Sequence, residues 1–147
     1  MGNYNFKKDL PEGQKAEKEA IEKLKKYYSI DRDDDFQICN TTDFDIKIVS
    51  KNISFEVKND LMAERTGNVA IEYESRGKLS GISVTKADFW IYKFTGLFFM
   101  FETEKIKREL LVNQNFHKKV TGGDYGSNTK MYLVKVNEFK TWGIELC

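Results

Sequence analysis

The chain predicts an α/β or α+β fold: a central mixed β-sheet flanked by helices. Three observations carry this. An N-terminal stretch repeats apolar residues at helical spacing, several later segments alternate with a period of two, and a second helical stretch follows two paired strands. The length of 147 residues fits one domain, 1–147, with a single core.

Pro11 opens the first helix, where its fixed φ suits the first turn. Ala16, Ala20, Ile21, Leu24, Tyr27 and Tyr28 form one apolar stripe, and the helix should end near Tyr28–Ser29. Asp31-Arg32-Asp33-Asp34-Asp35 reads as a solvated loop. Phe44 to Val49 and Ile53 to Lys58 alternate on either side of Ser50-Lys51-Asn52, which predicts a hairpin. Asn68 to Glu74 is a third strand, followed by a two-glycine loop at Ser75–Gly81. Phe89 to Phe94 and Leu97 to Glu102 are two strands joined at Thr95-Gly96. Thr103 to Val112 is the second helix, with Thr103 as its cap and Ile106, Leu110 and Leu111 toward the core. His117 to Asn128 reads as a loop rich in donors and glycine, Gly122-Gly123-Asp124-Tyr125-Gly126 being its flexible part. Met131 to Val136 is a last strand, leading through Phe139 into the C-terminal segment.

Composition narrows the chemistry. An apolar fraction of 40% and an aromatic fraction of 14% support a folded core rather than disorder. The lone His117 excludes every site that needs two or three histidines. Cys39 and Cys147 make neither a zinc framework nor a disulfide scaffold, so a reducing cytoplasm is the expected location. The N-terminus lacks the apolar stretch of a signal peptide. The most apolar run, Phe89 to Phe101, is too short and too interrupted to span a bilayer, so no membrane partner is expected.

The predicted hairpin holds the most informative residues. Glu56 and Lys58 are two apart on one strand and share a face. A two-residue turn at Ser50-Lys51 would place Asp45 directly opposite Glu56. A turn shifted by one would place it between Glu56 and Lys58. Either register gathers two carboxylates and an ammonium on one patch. Adjacent carboxylates repel unless something positive lies between them. A hard divalent cation such as Mg²⁺ or Mn²⁺ accepts oxygen ligands and is the usual answer. A metal so held orients water and stabilises charge on a phosphate, and Lys58 would activate the water or neutralise the phosphate. The alternative is a surface hairpin with a Glu–Lys ladder. On the first helix, with the stripe centred between Ala20 and Leu24, Glu17 falls within the apolar stripe at about 100° per residue. Glu12, Glu19 and Glu22 fall outside it. A carboxylate on the core-facing side needs a partner or a metal.

Helix 1 with Gly13-Gln14-Lys15-Ala16-Glu17, then Phe44-Asp45, then Glu56-Val57-Lys58, resembles the PD-(D/E)XK nuclease superfamily over about the first two-thirds of the chain. That superfamily includes restriction enzymes, archaeal Holliday junction resolvases and phage junction endonucleases. Its pattern is a helix-borne Glu, an Asp on one strand and Glu-X-Lys on the next. Glu17, Asp45, Glu56 and Lys58 match it. Phe44 stands where the name of the pattern has Pro, which leaves Asp43 as a rival to Asp45; register with Glu56 favours Asp45. The segments Asn68 to Glu72, Gly77 to Ile82 and Thr85 to Trp90 are similar to small phage-encoded members, in which the third strand's Glu lies near the site. The resemblance therefore implies Glu72 as an outer ligand or water-orienting group, with Lys86 and Ser80 toward phosphate. It implies a Mg²⁺-dependent endonuclease acting on DNA, with Asp45, Glu56 and Glu17 on the metal.

The near-neutral total charge hides a segregation. Residues 31–60 hold eight acids against four bases, and residues 103–140 hold eight bases against four acids. An acidic centre beside a basic third suits a phosphodiesterase acting on a polyanion. Lys118, Lys119 and Lys130 are the expected nucleic-acid contacts there, alongside Lys86; His117 is a weak candidate for a general acid. A small chain with no separate specificity domain favours structure-selective or weakly specific cutting, or a homodimer spanning two strands. The rival functions are a non-catalytic nucleic-acid-binding or inhibitor protein on the same fold, and an interaction domain without a nucleic-acid partner.

Overall fold

A computed structural model describes residues 12–39, 43–123 and 125–147 of the chain. Pro11 and Asp124 lie outside the described residues. The chain is a mixed α+β protein with a mixed central sheet.

Helix α1 (Glu12–Tyr28) buries Ala16, Ala20 and Leu24 completely. Ile21 and Tyr28 pack at the margin of the same stripe, while Tyr27 turns half into solvent. Ser29 ends the helix in a left-handed conformation. The Asp33–Asp35 run forms a short, exposed turn and leads into strand β1 (Phe36–Ile38), which the polar sequence around it had not signalled.

Strands β2 (Ile46–Ile48) and β3 (Ile53–Asn59) are the predicted hairpin. Their connection is a tight turn over Val49–Lys51, and Asn52 takes the left-handed conformation that closes it. Asp35 anchors this turn by accepting the Ser50 amide at 2.8 Å. Strands β6 (Phe89–Phe94) and β7 (Leu97–Glu102) pair across Thr95-Gly96, both at positive φ, as a two-residue hairpin of this hand requires. The six-stranded sheet runs β1-β2-β3-β6-β7-β10, where β10 is Ile144–Leu146. Its one parallel pair is β3 with β6, and the remaining pairs are antiparallel.

The third predicted strand belongs elsewhere. Strand β4 (Asn68–Ser75), which follows the short helix α2 (Ala63–Thr66), lies in a separate four-stranded sheet of order β5-β4-β9-β8. Here β5 is Lys78–Leu79, β8 is Lys118–Gly122 and β9 is Thr129–Lys135. Part of the expected 117–128 loop is therefore a strand.

The predicted second helix exists with changes. Helix α3 (Thr103–Lys107) continues into a wider, π-type turn over Arg108–Val112. Thr103 is not its cap: Glu102 holds that position, and the buried Thr103 hydroxyl donates to the Ala87 carbonyl at 2.7 Å. Ile106 and Leu110 are buried, whereas the widened turn leaves Leu111 58% exposed. Helix α4 (Val136–Lys140) follows β9.

Alternation along the six-stranded sheet divides the core into two layers. Phe55, Val57, Ile91, Phe98 and Met100 face α1 and pack on Ala16, Ala20 and Leu24. Trp90, Tyr92, Phe99 and Phe101 face the other way and meet Val69, Ile71, Tyr132 and Val134 of the second sheet, with Phe139 and Trp142. No helix among the described residues is long and apolar enough to cross a membrane.

Candidate functional site

The hairpin register pairs Ile46 with Phe55 and Lys47 with Ser54 and ends there; Asp45, one residue beyond, bonds to Phe55 and Val57, on either side of Glu56. This is the first of the two registers the sequence left open. Ile46 and Ile48 face α1, which turns Asp45 and Lys47 to the opposite face of the sheet. Glu56 and Lys58 point that way too, beside Trp90 and Tyr92 in the parallel register with β6.

Asp45 takes the backbone's role at the end of the pairing. Its Oδ2 accepts the Val57 amide at 2.8 Å, and its own amide donates to the Phe55 carbonyl at 2.9 Å. Two backbone contacts thus fix the Asp45 carboxyl at the end of the hairpin, beside the strand that carries Glu56. Lys58 Nζ lies 3.3 Å from Glu56 Oε2 and 5.5 Å from the Trp90 ring centre.

Burial raises the affinity of both Asp45 and Glu56 for a proton; the Val57 amide and the Lys58 ammonium pull the other way. Two carboxyls this close cannot both ionise without a penalty, so the pair retains a proton more readily than two separate acids. Glu17, on α1, feels the same pair through its charge. Its pKa rises to about 7, first through burial and then through the charges of Asp45 and Glu56. The carboxylate predicted to lie within the apolar stripe is therefore electrostatically part of the hairpin's acid pair.

Glu72 reaches this neighbourhood from the second sheet. The Tyr92 hydroxyl, fully buried and donating to the Ala70 carbonyl at 3.2 Å, is pushed well up by burial and then by Asp60, Glu56 and Glu72. Gly81, at φ +52°, allows the Gly81–Ser83 turn to lie on the Glu72 carbonyl. Ser80, an expected phosphate contact, has a buried hydroxyl with no partner among the described residues.

The other expected contacts are spread out. Lys86 lies exposed in the loop before β6. Lys118 and Lys119 are on β8, where the Lys119 ammonium sits 5.6–5.9 Å from the ring centres of Tyr73, Phe116 and Tyr132. Lys130 is 3.0 Å from Glu74, which holds it protonated. His117 lines a different cavity, with Asn115, Phe116 and Glu138. A cavity of about 540 Å³ lies between α1 and β1 and includes none of the acid pair.

Among the described residues, no three His, Cys, Asp or Glu side chains form a ready-made metal cluster. The donor set of Asp45, Glu56 and Glu17 nonetheless fits a hard cation in chemistry. It is oxygen-only and partly buried. No family model, curated protein or solved structure matches the chain.

Proposed function

We propose that the chain is a metal-dependent endonuclease that hydrolyses DNA phosphodiester bonds, built on a restriction-endonuclease-like core of the PD-(D/E)XK kind. The observation that supports this best is the hairpin, which sets Asp45 beside the β3 strand that carries Glu56 and Lys58, with Lys58 3.3 Å from Glu56. Asp45, Glu56 and Glu17 would hold Mg²⁺ or Mn²⁺. Such an ion, when bound, lowers the pKa of a bound water and neutralises phosphate charge. The Val57 amide keeps the Asp45 carboxylate aimed at Glu56. Lys58 presents a positive charge beside Glu56, where a phosphate oxygen or a nascent hydroxide is stabilised. Glu72 would serve as an outer ligand or water-orienting group at the border of the patch. Lys86, Lys118, Lys119 and Lys130 steer the polyanion, and a homodimer would present two such sites to two strands.

The test is incubation with supercoiled plasmid and with branched DNA in Mg²⁺, Mn²⁺ or EDTA. Cutting that needs metal and disappears in Glu56→Ala and Lys58→Ala is the expected result. Intact DNA under every condition, with a salt-sensitive gel shift, would instead identify a non-catalytic nucleic-acid-binding protein. No shift would leave an interaction domain.

A further inference from the structure

We propose that the cleft beside the acid pair, floored by Ser54 and flanked by Lys47, Lys86 and Asn52, seats the backbone phosphate next to the scissile one on the same nucleic-acid strand. This rests on the nuclease reading above and assigns its strand-positioning residues.

The cleft has a volume of about 260 Å³. It lies on the same sheet face as the acid pair, because Lys47 follows Asp45 by two residues and Ser54 precedes Glu56 by two. One full pleat is about 7 Å at a strand rise of ~3.4 Å per residue, on the scale that separates successive phosphates along a strand. A strand laid along this face with one phosphate at Asp45 and Glu56 therefore brings its neighbour to Lys47.

The floor is fixed. Asp88 Oδ2 accepts the Ser54 amide at 2.9 Å and the Ser54 hydroxyl at 3.2 Å, and the Asp88 amide returns to the Ser54 carbonyl at 3.0 Å. The Asp88 carboxylate is thus engaged by Ser54. Its locking to β3 also positions Lys86, two residues upstream, at the cleft. Asn52, set by its left-handed backbone at the hairpin turn, adds an amide donor. Asp43 lines the cleft as well and limits its positive potential.

Lys47 and Lys86 have no ion pair among the described residues. Lys58, Lys93, Lys105 and Lys130 each lie on a carboxylate. Two uncommitted ammonium groups facing one polar cleft are what a phosphodiester needs, since phosphate contacts position a strand without reading its sequence.

The experiment is fluorescence anisotropy of labelled single-stranded and duplex oligonucleotides. Titrations run at several salt concentrations, in Ca²⁺ and in EDTA, beside the plasmid assay in Mg²⁺. Removing one phosphate contact lowers the slope of log Kd against log salt by about 0.7 on a single strand or 0.9 on a duplex. Lys47→Ala and Lys86→Ala are each expected to lose about that much, and the double variant twice it, with KM raised in the plasmid assay. Lys47→Arg and Lys86→Arg are expected to keep the wild-type slope, and Lys26→Ala on α1 serves as a charge control. Lys47→Gln and Lys86→Gln, checked by circular dichroism, replace any alanine variant that fails to fold. A wild-type slope in the double variant, in a protein that still binds and cuts, would overturn the cleft and leave the nuclease standing. A wild-type protein that neither binds nor cuts would overturn both.

Discussion

Glu17 sits in an environment that departs far from that of an ordinary glutamate, and its consequences can be worked out. A glutamate normally titrates near 4.5, but here the proton is held to about 7. The folded chain therefore binds a proton that the unfolded chain has released between those values. By linkage, this group's contribution to stability is favourable at low pH and is lost as pH rises from about 4.5 to 7, with no further change above. In metal-free protein, Glu17→Gln should therefore raise the melting temperature at pH 8 and do little at pH 4.5. Because the side chain is only partly buried, the gain is screened, on the order of 2–4 °C for ~1 kcal/mol in a chain of this size. Melting curves across this pH range would refute the assignment if the difference were flat. A cation on the acid pair would have the opposite dependence, since it competes with the retained proton. Added Mg²⁺ should raise the wild-type melting temperature more at pH 8 than at pH 6, by ~2.7 kcal/mol at a hundredfold excess over Kd. Differential scanning fluorimetry should show that gain absent in Asp45→Asn and Glu56→Gln. These residues were legible because strand alternation and helix periodicity each fix a direction. The Val57 amide on Asp45 was not legible, because a side chain replacing a ladder bond leaves no mark in the hydrophobic pattern.

Elements follow the same division. The β6–β7 hairpin was readable to the residue, since two apolar runs flank a Thr-Gly turn that the strand twist requires. Strand β8 was missed because it is an edge strand of lysine, valine, threonine and glycine with no buried alternation. The outward turn of Leu111 reflects a π-type widening that shifts the helical phase after Lys107. On α1, the alanines let the helix approach the sheet, and Leu24 fills the space beside Phe55 and Ile91. Leu24→Ala should cost about 2–5 kcal/mol by urea denaturation, with an unchanged m-value. At Gly81 an added Cβ would fall 2.2 Å from the Glu72 carbonyl oxygen, in a backbone conformation that disfavours side chains. Gly81→Ala should therefore cost about 2 kcal/mol or more and disturb the strand that carries Glu72.

At the scale of the molecule, local pattern could not decide which sheet a strand joins. Asn68 to Ser75 alternates equally well for either, and its partner β9 is about sixty residues away. The charge segregation read from the sequence follows this division: the acidic hairpin lies in the six-stranded sheet, while the basic β8 and β9 build the other. Beside the aromatic layer, the edge of β4 that β5 leaves unpaired also joins the two sheets. Asp60 Oδ2 accepts the Ala70 amide at 2.9 Å, and the Tyr92 hydroxyl donates to the Ala70 carbonyl. Asp60 Oδ1 also accepts the more exposed Met62 amide at 3.1 Å. Asp60→Ala would leave the part-buried Ala70 amide without its acceptor, a cost of about 1–3 kcal/mol. Asp60→Asn has one carbonyl oxygen for two amides, so it should recover only part of that loss. If this edge couples the sheets, urea unfolding of Asp60→Ala followed by Trp90 and Trp142 fluorescence should separate from unfolding followed by far-ultraviolet circular dichroism. Coincident curves with an unchanged midpoint would show that the aromatic layer between the sheets holds them together without the polar edge.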